Sequence, residues 1–96
     1  MTTSSRSSDI QTADASIATG RNRINSVILL ADGTNAASLV IYDNASAASG
    51  KVLASLKVKA TDVQKEVVFT FPVIAENGIY ADVTGTGASY IVHFGA

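Results

Sequence analysis

The sequence predicts an all-β fold: an antiparallel β-sandwich, jelly-roll-like or immunoglobulin-like, with an extended N-terminal arm. Three observations lead there. Short runs rich in β-branched and aromatic residues recur at spacings of roughly a dozen residues. Clusters of Gly, Asn, Asp and Ser separate those runs and supply turn chemistry. The two stretches that could make a helical turn, Ala45 to Ala48 and Ala60 to Lys65, are too short to stand as helices.

The elements follow in order. Met1 to Ser8 is polar and low in complexity, and reads as an arm. Asp9 to Gly20 is mixed, with Ile10 and Ile17 as its only large apolar residues. It reads either as a loosely held edge strand or as an arm that orders against a neighbour. The composition shifts at about Gly20, so residues 1–20 are expected to be the arm and residues 21–96 the sandwich domain. Ile24 to Leu30 is a strand by its β-branched content. Ala31 to Asn35 turns the chain through Asp32-Gly33, a pair that tolerates positive φ. Ser38 to Asp43 is the next strand, and Asn44 to Gly50 is a small-residue loop. Lys51 to Lys59 alternates, placing Val52, Ala54, Leu56 and Val58 on one face and Ser55, Lys57 and Lys59 on the other. Lys65 to Phe71 puts Val67, Phe69 and Phe71 in phase. Pro72 falls at the end of that run, where a missing N–H does least harm. Glu76-Asn77-Gly78 is a tight turn. Ile79, Ala81 and Val83 then point inward, with Tyr80 and Asp82 outward. Thr84 to Gly87 turns again, and Ser89 to Phe94 is the last strand.

Composition bounds the function. Ninety-six residues make one domain. With 47% apolar residues and a net charge of −1, the chain is not disordered. That charge also argues against a nucleic-acid partner, which calls for a basic surplus. No run of about eighteen apolar residues exists to make a membrane-spanning helix. Met1 to Ser8 lack an apolar stretch, so no secretory signal is expected. Zero cysteines exclude a disulfide scaffold and any thiolate metal site.

Catalytic chemistry has little to work with. Nucleophilic catalysis needs a nucleophile, a base within reach and an orienting group. His93 is the single histidine, and it reads as a structural or surface residue. Asp32, Asp43, Asp62 and Asp82 lack the alternating spacing of a calcium loop, and Asp32 and Asp43 suit turn roles. Gly85-Thr86-Gly87 lacks the Lys-Ser/Thr and the helix of a phosphate loop. No enzyme activity, cofactor or metal is expected.

Three strands are apolar on both faces: Ile24 to Leu30, Leu39 to Tyr42, and Tyr90 to Phe94. One core needs only one face of each strand. Either the N-terminal segment or a loop covers the second face, or subunits associate through it. Association is the favoured reading, because spare apolar faces on a small monomer invite aggregation. The candidate oligomer or partner contacts are Arg6, Ile10, Ile17, Arg21, Val27, Leu29, Val40, Tyr42, Tyr90 and Val92.

Two stretches add a resemblance. Tyr42-Asp-Asn-Ala-Ser-Ala-Ala-Ser-Gly-Lys-Val-Leu53 resembles a segment of small bacteriophage virion proteins, and Asn77-Gly-Ile-Tyr-Ala-Asp-Val-Thr-Gly-Thr-Gly-Ala88 resembles their near-terminal strand pair. The Arg21–Leu30 strand and the Asp32-Gly-Thr34 turn fit the same layout, so the resemblance runs from about Arg21 to Phe94. It implies a β-sandwich component of the virion, most simply a capsid decoration (cement) protein at the capsid surface, assembled in the bacterial host cytoplasm. Its implied partners are further copies of itself, as a homotrimer, and the major capsid protein. Nucleic acid and membrane are not among them, and no catalytic residue is implied. The N-terminal arm, with Arg6, would be the segment that crosses capsomer boundaries. The alternative is a tail- or fibre-associated module that binds a carbohydrate or a structural partner through Tyr42, Tyr80 or Tyr90.

Overall fold

The computed structural model describes residues 6–95. It is all-β, with no helix among the described residues, and its two four-stranded antiparallel sheets pack face to face. The strands are β1 (Arg6–Ser7), β2 (Ala15–Thr19), β3 (Asn22–Leu30), β4 (Ala37–Tyr42), β5 (Val52–Val58), β6 (Gln64–Ala75), β7 (Gly78–Thr84) and β8 (Ser89–Gly95). Pairing follows one rule. β1 lies beside β8, β2 beside β7, β3 beside β6 and β4 beside β5, so the chain is one long antiparallel ribbon. Folding the ribbon over brings β3 against β8 and β4 against β7. The resulting orders, β1-β8-β3-β6 and β2-β7-β4-β5, are those of a jelly roll, which settles the choice between the two expected sandwich types.

The core is the slab between the sheets. One sheet contributes Ile24, Val27 and Leu29 from β3 and Tyr90 and Val92 from β8, and the other contributes Leu39, Ile41, Ile79 and Ala81; all are fully buried. Each large side chain sealed from water is worth about 1.5–3 kcal/mol. The expected inward set of β7 is found, with Ile79, Ala81 and Val83 on the core.

Bulges break the simple alternation in three places among the described residues, one of them in β2 between Ser16 and Ala18. The register of β3 shifts between Ile24 and Ser26 against both neighbours, so Ile24 and Val27 both face inward. On β6 the same gap runs from Val68 to Val73. Phe71, expected in phase with Val67 and Phe69, is thereby thrown out of the ladder and is 85% exposed. Pro72 sits in that interruption, where its absent N–H removes no ladder bond. The third shift, between Ile41 and Tyr42, sets Val52 opposite Tyr42 and turns it outward; Val52 does not join Ala54, Leu56 and Val58 on the core.

Residues 6–19, read as an arm or, from Asp9 onward, as an edge strand, belong to the sandwich, and the edge-strand alternative is the one found. β1 forms one edge of the first sheet, and β2 forms one edge of the second. Between them, Ser8 N–H donates to Val92 O, and Gln11 and Tyr90 exchange both backbone bonds. Asp9 takes a positive φ of 62° where the chain steps from one sheet edge toward the other. The expected residues 1–5 of the arm fall outside the described residues.

Candidate interaction surfaces

The loop after β4 and the turn before β7 meet at one end of the sandwich. Asp43 closes β4, and its Oδ1 accepts the Asn77 N–H at 2.7 Å, while its own N–H donates to Lys51 O. Asn44 Oδ1 accepts the N–H groups of Ser46 and Ala47, which winds the small-residue loop. Gly78 fits against this loop so closely that a Cβ there would stand 2.8 Å from Ala18 O and from Ala45 Cα. Small residues in the loop and glycine in the turn are therefore one packing solution. At the other turn, Asp32 Oδ1 accepts the N–H groups of Thr34 and Asn35. Hydrogen bonds from backbone N–H groups hold both Asp32 and Asp43 below the usual aspartate pKa, Asn35 leading for the first and Asn77 for the second. These carboxylates are turn fasteners, as the sequence suggests.

The candidate contact residues divide. Val27, Leu29, Tyr90 and Val92 are core residues and offer no contact surface. The outward residues of those strands are Ile28 and Leu30 on β3 and Ile91 and His93 on β8, all half-buried. Period two alone cannot say which of two apolar faces turns inward, and the bulge after Ile24 moves the phase. Ile17 is half-buried and packs on the core. Arg21 is exposed and pairs with Glu76 at 3.6 Å, an ion pair of little energetic weight. Arg6 is exposed on β1, Ile10 is 57% exposed, and Val40 and Tyr42 are half-buried on the outward face of the second sheet.

On that outward face Tyr42 stands directly opposite Tyr80, and Val40 opposite Asp82. Ser16 flanks Tyr80 from β2. Burial, with the neighbouring Asp14 carboxylate, pushes Asp82 above the usual aspartate value. Tyr90, the third tyrosine, lies in the core and donates its hydroxyl to Ala13 O at 2.8 Å. Burial first, and then Asp14 and Tyr80, push it up to about 12.

One pair escaped the sequence reading. Ser26 Oγ and His93 Nδ1 are 2.7 Å apart on the outward face of the first sheet, joined because the two residues are direct cross-strand partners. Sixty-seven residues separate them, and no local pattern signals the contact. A Ser–His contact is half of a nucleophilic device, but no carboxylate hydrogen-bonds to His93 among the described residues. Ser7, directly opposite His93 on β1, offers only a hydroxyl. A shallow cavity of about 560 Å³ lies elsewhere, lined by Ala36, Ala37, Val58 and Thr84 together with Lys57 and Lys59. It contains neither half of the Ser–His pair.

The distribution of exposed apolar residues is uneven. Among the large ones, Val52, Val63, Val68 and Phe71 lie on or beside β5 and β6, at the same flank of the sandwich. Among the described residues only Ile10 of these lies at the flank formed by β1 and β2. Chain comparisons add no further guide: no protein-family model, curated protein or solved structure matches the chain.

Proposed function

We propose that this chain is a structural component of a bacteriophage virion, a capsid decoration protein that self-associates, as a homotrimer, and binds across subunits of the major capsid protein. The observation that carries the reading is the exposure of four large apolar side chains, Val52, Val63, Val68 and Phe71, on or beside the two edge strands β5 and β6 of a small, tightly fastened sandwich. So much apolar surface beside two unpaired sheet edges is a liability for a free monomer and an asset for a subunit that is always in contact. The resemblance of Tyr42–Leu53 and Asn77–Ala88 to phage virion segments points the same way. The jelly roll, a fold-level analogy only, is used both by capsid proteins and by lectins. In this reading the chain is not an enzyme, and the Ser26–His93 contact satisfies two polar groups on a half-buried face.

Electron cryomicroscopy of the intact particle tests it. Density for this chain is expected on the outer shell between capsomers, and its absence from purified particles overturns the reading. A second reading, a glycan-binding module of a tail or fibre, is favoured by the Tyr42–Tyr80 pair on an outward face. It requires specific hits on a glycan array that are lost in Tyr42→Ala and Tyr80→Ala.

A further inference from the structure

The two flanks of the sandwich differ in finish and in charge. On one, residues 6–19 run along both sheets as β1 and β2. The other flank also ends in two edge strands, β5 and β6, each paired on one side only and each longer than its counterpart at the first flank. β6 is the longest strand of the described fold at twelve residues. Natural edges are usually kept short, covered or charged toward the interior, because exposed N–H and C=O groups recruit another strand. This edge has Val68 at 69% exposure and Phe71 at 85%.

Charge separates along the same axis. All four lysines of the chain, Lys51, Lys57, Lys59 and Lys65, fall in or beside β5 and at the start of β6, against the acidic Asp62 and Glu66. The β1–β2 flank carries Asp9 and Asp14, with Asp82 on the adjoining β7, against Arg6, while Arg21 just past β2 and Glu76 just past β6 pair with each other. One flank is therefore basic and the other acidic, and each has exposed aliphatic surface, Val68 on the first and Ile10 on the second.

From this we infer that a second copy of the chain docks head to tail, the β5–β6 flank of one protomer against the β1–β2 flank of the next. A two-fold contact would bring one lysine-rich flank against another, and like charges in register oppose it. A head-to-tail contact joins opposite charges and presents a free edge of β6 to the short edge strand β1. Such a contact is heterologous, and it closes into a ring when the rotation permits. The inference rests on the self-association in the proposed function and specifies its geometry.

The test exploits the lack of native cysteine. Ile10→Cys and Val68→Cys are both substitutions at exposed positions. A short bismaleimide cross-linker should join the two variants when they are mixed and leave either one alone as single chains. The double variant should give a ladder that ends at the closed ring. Val68→Cys cross-linking to itself would overturn the geometry in favour of a two-fold contact. A full-length chain that stays monomeric by light scattering and yields no cross-link would overturn it altogether. The triple variant K57E/K59E/K65E should fall from the wild-type mass to that of one chain, and raising the salt should weaken the wild-type assembly. An unchanged mass in the triple variant would place the contact elsewhere. Particle occupancy is read separately, by mass spectrometry of purified virions, so a failed ring and a failed virion assignment are distinguishable.

Discussion

Gly78 shows how closely single residues are constrained at the loop end. Its missing side chain leaves room for three backbone neighbours, at Ala18, Asn44 and Ala45, and none of these can swing aside as a flexible side chain would. Gly78→Ala is expected to cost about 1–3 kcal/mol, the usual range for forcing a methyl into packed backbone. For a domain of this size that lowers Tm by about 4–8 °C per kcal/mol, measurable by calorimetry. Asp43→Ala should cost a similar about 1–3 kcal/mol, because it leaves the Asn77 N–H without its acceptor. Asp43 and Asp32 have folded pKa values below the unfolded ones. Their contribution is therefore complete above the unfolded aspartate value and lost as pH falls through the lower folded value. The acid limb of a stability profile should shallow in Asp43→Asn. Tyr90 works in the opposite sense. Its pKa is raised to about 12, so its contribution is complete below the unfolded tyrosine value of about 10 and is lost as pH climbs through the folded one. Tyr90→Phe should remove that alkaline loss while giving up the Ala13 hydrogen bond, and urea titrations at pH 8 and pH 11 would separate the two effects.

At the scale of elements, the sequence is most informative where a strand has partners on both sides. Each of β3, β4, β7 and β8 carries β-branched residues, most of them with an aromatic, packed between neighbouring strands, and that signal is readable without a structure. β1 and β2 are Arg-Ser and Ala-Ser-Ile-Ala-Thr, and neither has a pattern that demands a strand. Their conformation is imposed by the free edges of β8 and β7, a tertiary effect that no local window contains. The same holds for phase. Asn25 and residues 69–72 are inserted into ladders whose partners are distant in sequence, so the inward set of β3 and the exposure of Phe71 were hidden from periodicity. The candidate surface was correspondingly only half legible: Ile10, Val40 and Tyr42 face outward, whereas Val63, Val68 and Phe71 were not singled out at all. Phe71 contributes little to the core in this position. Phe71→Ser should therefore leave Tm almost unchanged while reducing self-association, whereas Leu39→Ala, at a fully buried site, should cost about 2–5 kcal/mol.

For the whole molecule the deciding feature is that the first and last strands of the sandwich are partners. Arg6 stands opposite Phe94, so the first strand can be placed only after the last strand of the sandwich has been made. The ribbon topology makes each of the first four strands the complement of one of the last four, and no early segment is an accessory. A docking arm would be dispensable for folding. Two edge strands are not, because removing them bares the backbone of β7 and β8 and uncovers Tyr90, whose hydroxyl loses Ala13 and whose backbone loses Gln11. An unpaired buried hydroxyl or amide costs about 1–3 kcal/mol. A domain of this length has only about 5–15 kcal/mol in total, so several such losses together exceed what remains. Deleting residues 1–20 is therefore expected to abolish the cooperative unfolding transition of the isolated protein, seen as a loss of dispersed amide resonances and of a calorimetric peak. A truncated chain that still melts cooperatively would mean that the six remaining strands hold the jelly roll by themselves, and the N-terminal segment would then be free to serve a neighbour.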